Sequence, residues 1–228
     1  MNKPIKTVLF DCDGTILDSY KVHKKINRQI SKEFGFKKPL IFAGQPASVV
    51  LKNLGFSVFK IKNFLKRFGE LELEAKLKIF PAVNALLESL KERKILTAIV
   101  TNRPTTKEYF QLLESANLKS ELIDFYVNCD IFPHRLKTPK NHFSGKYPKP
   151  DARIISPINK NLKKLDIFPE SILMVGDHLV DFQLAKFCGF QFIGVLSGVT
   201  KTLSDWYSQC QSYQRVLPTV DSLLRFFD

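Results

Sequence analysis

Cysteine is scarce in this chain and never paired. The four residues, Cys12, Cys129, Cys188 and Cys210, are scattered with no CxxC spacing. This excludes a disulfide framework and a structural zinc site, and free thiols suit a reducing compartment. Of the four histidines, His23, His134 and His142 show no ligand spacing. No apolar run approaches the ~20 residues that span a bilayer, so no membrane partner is expected. The opening stretch, MNKPIKTVLFDCD, has too short an apolar segment for a secretory signal, and a cytoplasmic location is expected. Internal repeats and low-complexity segments are absent.

Acidic residues are also thin in one region. Over residues 19–80, fourteen lysines and arginines stand against four acids, so this region holds about +10 of the formal net charge of +13. A basic surface of that size attracts anions: a phosphorylated substrate, a nucleic acid or an acidic partner. The plainer alternative is a lysine-rich, solvated helical face. Otherwise the composition is that of a globular protein, with 44% hydrophobic and 25% charged residues. At 228 residues the chain can bury one good-sized core with a small appended domain.

The hydrophobic pattern divides the chain. Ile5 to Phe10 reads as a buried strand. From Tyr20 to about Lys78 the apolar spacing is helical: YKVHKKINRQISKEFG ends at Gly35, QPASVVLKNLG starts at Pro46 and ends at Gly55, and FKIKNFLKRFGELELEAKLKIF continues the pattern. After Phe80 helices and strands alternate. The strands are ILTAIV, LIDFYVNC, SILMVG and FQFIGVL; the helices begin near Pro81, Pro104, Pro150, Leu179 and Thr200, with Pro157 expected to kink or break the third. SLLRFF is expected to pack as a last turn or two. Alternation of this kind predicts an α/β fold with a doubly wound, Rossmann-like parallel sheet. The expected division is a core domain of residues 1–18 and 81–228 and an all-helical cap domain of residues 19–80. The loop from Cys129 to Pro150 is long, basic and proline-rich.

Ligands of open α/β sheets bind beyond the carboxyl ends of the strands. In this chain those positions hold Asp11 and Asp13 after the first strand, Thr101 and Asn102 after the second, and Gly176 and Asp177 after SILMV, with Asp181 about one turn on. Lys149 precedes the helix that starts at Pro150; Lys137, Lys140 and Lys146 are its rivals. Three or more carboxylates crowded together repel, and a hard divalent cation resolves the conflict; an oxygen-only donor set favours Mg²⁺. A hydroxyl, a lysine and a helix N-terminus on the far side suit the remaining oxygens of a phosphoryl group. One aspartate can attack phosphorus while the other, two residues on and pointing the same way, serves as general acid and base. Gly14 permits the tight turn.

These residues carry a resemblance. DCDGT resembles the DxDxT signature of the haloacid dehalogenase superfamily of phosphohydrolases, IVTN its second motif, KPD its third and VGDHLVD its fourth, in order over nearly the whole chain. FDCDGTILDS and VTNRP are closest to the phosphoglycolate phosphatase-like subgroup with a small helical cap. The resemblance implies an Mg²⁺-dependent phosphatase acting on a small phosphomonoester through an aspartyl-phosphate. Asp11 would be nucleophile and metal ligand, and Asp13 general acid/base with its backbone carbonyl on the metal. Thr101, Asn102 and Lys149 would bind the phosphate, and Asp177 and Asp181 would complete the metal site. Asp13 sets the chain apart from the dehalogenases proper and the phosphonate-cleaving members. The alternatives are a sugar phosphomutase of the same fold, or a non-catalytic protein using the basic cap on nucleic acid or an acidic partner. Gly44, Gln45, Pro46 and Lys52 are candidates for facing the substrate, which the sequence does not name; nor does it assign an oligomeric state. Cys12 reads as a small buried thiol, and His178 as a surface or capping residue.

Overall fold

In the computed structural model, which describes residues 3–42, 44–130, 140–210 and 215–227, seven parallel strands form one sheet in the order β4-β3-β2-β1-β5-β6-β7. In chain order the strands are β1 (Thr7–Phe10), β2 (Leu96–Thr101), β3 (Phe125–Cys129), β4 (His142–Gly145), β5 (Ile172–Gly176), β6 (Gln191–Val195) and β7 (Arg215–Leu217). The chain builds outward from β1 to β4 and then returns to lay β5 against the other side of β1. The reversal of winding falls at β1 and β5, where a crevice opens at the strands' carboxyl ends.

Continuously apolar strands arise because both sheet faces are covered. Side chains alternate between faces: Val8, Phe10, Ile99, Leu173 and Val175 join one core cluster. Leu9, Ala98, Val100, Ile172 and Met174 join the other. Helices α4 (Val83–Glu92), α5 (Lys107–Ser115), α6 (Ser156–Lys164), α7 (Leu179–Cys188) and α8 (Leu203–Cys210) flank the sheet.

Between β1 and α4 lie α1 (Tyr20–Glu33), α2 (Ala47–Asn53) and α3 (Val58–Glu74). Their facing stripes make a cluster of their own, centred on Ile26, Ile30, Leu51, Ile61, Phe64 and Leu71. Phe34 stands edge-on to Phe64 at 4.9 Å. Gly35 and Gly55 end their helices at positive φ, as their positions in the sequence suggest.

The structure corrects the sequence reading at three places. Pro157 does not break a helix: it lies in the first turn of α6, where its missing N–H costs nothing, after a 3₁₀ turn over Ala152–Ile155. Strand β4 falls inside the stretch read as loop, and residues 131–139 of that stretch, with His134 and Lys137, lie outside the described residues. Strand β7 was also unread; at three residues, Arg-Val-Leu, it is too short for a period-2 signal. No helix among the described residues is long and apolar enough to cross a membrane.

Candidate active site

The crevice beyond β1, β2 and β5 opens into a cavity of about 760 Å³ bounded on its other side by α1, α3 and the segment around Phe42. Asp11, Asp13, Thr101, Asn102, Lys149, Asp177 and Asp181 all line it. Residues from four separate parts of the chain meet there because the central strands are in register: Phe10 pairs with both Ile99 and Val175.

At the floor, Asp11, Asp177 and Asp181 bring carboxylate oxygens within 4.8 Å of one another, all buried. The Lys149 ammonium lies between two of them, donating to Asp11 and, at 2.7 Å, to Asp181. Burial pushes the Asp11 carboxyl up to about 6; Lys149 opposes the rise, while the Asp181 and Asp13 charges add to it. Asp177 is driven well above the carboxylate range by burial and by Asp11 and Asp181. Desolvation acts against the Lys149 charge, but the two acids hold its pKa well above the ordinary lysine value. One buried ammonium against three buried carboxylates leaves excess negative charge. The donor set is oxygen-only, so a hard divalent ion of the Mg²⁺ class fits it.

The floor is built by close backbone approach. Val199 N–H donates to Asp177 Oδ2 at 2.5 Å. A Cβ on Gly198 would fall 1.7 Å from that oxygen, so only glycine fits. Gly14 turns at φ 76°, and the Ser197 hydroxyl donates to its carbonyl at 2.6 Å. Asp181 accepts from His178 N–H while His178 Nδ1 accepts from Val180 N–H, a reciprocal cap that fixes the start of α7. His178 thus caps the helix, one of the two roles read for it. Cys12 is fully buried, and burial pushes its thiol up.

Asp13 has different company. Arg103 forks onto it, Nε to Oδ2 at 2.6 Å and a terminal nitrogen to Oδ1 at 2.8 Å. The same guanidinium reaches Glu72 on α3 at 3.0 and 2.5 Å, and His23 on α1 lies 2.6 Å from Glu72. Burial alone would raise Asp13, but the Arg103 charge, aided by His23, holds it well below the usual carboxylate range. Glu72 is lowered on the same balance. Asp11 and Asp13 therefore share the cavity but are shifted in opposite directions.

Thr101 is buried, its hydroxyl accepting from Arg103 N–H at 3.2 Å. Asn102 uses its amide as a connector: Nδ2 donates to the Gly44 carbonyl at 2.7 Å, and Oδ1 accepts from Lys149 N–H at 2.7 Å. This ties the β2 end to the Lys149 loop and to the helical segment. Gly44, Gln45 and Pro46 line the cavity and Lys52 does not. Sequence reasoning missed Arg103, Glu72 and His23 as a unit. The one available signal was a cation two residues beyond the Thr101 strand end.

Comparison with known proteins places the chain among phosphatases and related hydrolases. The chain is 24% identical over 214 residues to a phosphorylated carbohydrates phosphatase of Thermotoga maritima, covering 88% of each. It is 25% identical over 205 residues to a phosphoglycolate phosphatase of Aquifex aeolicus, covering 86% of this chain and 87% of that one. A solved hydrolase from Pseudomonas syringae superposes with a TM-score of 0.73 over 98% of each chain at 20% identity, which shows the shared fold. The family model for haloacid dehalogenase-like hydrolases matches residues 8–195, and the chain belongs to that family.

Proposed function

We propose that this hydrolase of phosphoric esters releases phosphate from a small phosphomonoester through a covalent intermediate on Asp11. The observation that carries the reading is the floor of the cavity, where a buried carboxylate faces a buried ammonium beside two further acids. An Asp11 oxygen bonds to phosphorus as the bond to the leaving oxygen breaks; Asp13, ionised against Arg103 in the free site, takes up a proton from solvent as the substrate displaces one guanidinium donor and delivers it to that oxygen. Asp13 then takes a proton from water, whose oxygen bonds to phosphorus as the Asp11–phosphorus bond breaks, restoring both acids. Arg103 orients Asp13 throughout, and the leaving oxygen takes the place of one guanidinium donor. Lys149 and Thr101 hold the equatorial phosphate oxygens, and Asn102 positions Lys149.

Mg²⁺ would be held by Asp11, Asp177 and Asp181 with the Asp13 backbone carbonyl, and when bound supplies neutralising charge to the phosphoryl oxygens. Residues 19–80 act as a cap whose closure excludes bulk water. Their links to the core through Glu72 and Gly44 support this. The relatives' names, phosphatases of phosphorylated carbohydrates and of phosphoglycolate, support a small organic phosphoester. Membership of a hydrolase family sets aside the non-catalytic alternative.

The test is phosphate release from a panel of phosphoesters with and without Mg²⁺, beside folded Asp11→Asn. Mg²⁺-dependent release that disappears in the variant is expected. Release that persists in Asp11→Asn, or that ignores Mg²⁺, would overturn the reading. Phosphoryl transfer to a sugar hydroxyl instead of water would identify a mutase.

A further inference from the structure

The cavity is much larger than the chemistry at its floor requires. A volume of about 760 Å³ lies within the range of sites that enclose drug-sized ligands, whereas a two-carbon phosphoester would leave most of it to water. Much of the lining away from the acids is apolar, with Tyr20, Leu40, Phe42, Leu65 and Phe68 part of it. The solvent-facing mouth is cationic: Lys24 and Arg28, one turn apart on α1, and Lys38 line the cavity and are exposed.

These three charges are left over by the way the helical segment uses its acids. Arg67 takes Glu33, Glu70 and Glu74. Glu72 is taken by Arg103 and His23. That accounts for all four acids of residues 19–80, and no ion pair forms with Lys24, Arg28 or Lys38 among the described residues. Like charges one helical turn apart repel, so the arrangement is relieved by an anion at the mouth.

We infer that the substrate carries a second anionic group, carboxylate or phosphate, at the end remote from the scissile phosphate, joined to it by an apolar or ring-containing body. The inference rests on the phosphatase reading above. The floor takes the reacting phosphoryl group, the apolar walls cover the body, and Lys24, Arg28 and Lys38 hold the remote anion. This gives the basic excess of the segment a part in choosing the substrate, over the alternative of a merely solvated face.

The test compares kcat/KM for an aryl phosphate whose alkyl tail ends in a hydroxyl, a carboxylate or a phosphate. The two anionic tails are expected to be preferred over the hydroxyl by about tenfold, with the better of them naming the group. The preference should shrink as salt is raised, and fall to about one in the triple variant Lys24→Ala, Arg28→Ala, Lys38→Ala. Release from all three esters at equal kcat/KM would overturn the inference and leave the phosphatase reading intact. Release from none would overturn both. Faster release from a phosphorylated oligonucleotide than from either anionic ester would overturn the small-molecule assignment in favour of a nucleic acid.

Discussion

Arg103 holds two acids that the fold would otherwise strand. Glu72 is almost fully buried and Asp13 partly so, and the one guanidinium reaches both. Removing one member of such a group leaves an uncompensated buried charge, which costs more than the pair was worth. Arg103→Ala is therefore expected to lose about 3 kcal/mol in urea unfolding, and Asp13→Asn to lose far less stability but about a hundredfold or more in kcat. A stable Arg103→Ala would show that the network is a surface pair of little consequence. At Gly198 the constraint is spatial. Gly198→Ala must displace Asp177, and a loss of about tenfold to a hundredfold in apparent Mg²⁺ affinity is expected from metal titration of activity. The sequence showed Asp11, Asp13, Asp177 and Asp181 as candidates because a strand end is a local signal. It could not show Arg103 meeting Glu72 and His23, since those partners lie 31 and 80 residues away and come together only through packing.

Among the elements, α3 carries the contact between the helical segment and the sheet-flanking helices. It packs on α5 at Gly69, where a Cβ would come within 2.6 Å of Glu108 Cβ. In an exposed helix, glycine to alanine would stabilise by about 1 kcal/mol, but here the added methyl has to push the two helices apart. Gly69→Ala is expected to lower kcat/KM by about tenfold, since small misplacements of positioning groups are costly, while far-UV circular dichroism stays unchanged. Unaltered kinetics would mean that the α3–α5 spacing does not set the site. The long elements were legible because periodicity accumulates over many residues, as in α1 and α3. Strands β4 and β7 were not, because edge strands of three or four residues take their identity from the neighbour they pair with.

For the whole molecule, the acid cluster is expected to link stability to pH and, at the proposed Mg²⁺ site, to metal. The Asp11 carboxyl titrates near 6 in the fold against an ordinary 3.8, and Asp177 is shifted in the same direction. A raised carboxyl contributes stability that is full below the unfolded value and lost as pH rises through the folded one. The metal-free protein should therefore lose the Asp11 contribution between about pH 4 and 6. Metal binding requires these carboxyl protons to be released, so Mg²⁺ should raise Tm more at about pH 8 than at about pH 5. At a hundredfold excess over its dissociation constant the rise should be roughly 5 °C or more. An equal rise at both pH values would place the ion elsewhere.

On the proposed mechanism, Asp11 carries the phosphoryl group during turnover. Its most direct test is acid quenching of the protein during turnover of a radiolabelled phosphoester, followed by peptide mapping. Label on the peptide containing Asp11, released by hydroxylamine as an acyl phosphate requires, is the result expected. Label on any other residue, or turnover with no protein-bound phosphoryl group, would contradict it.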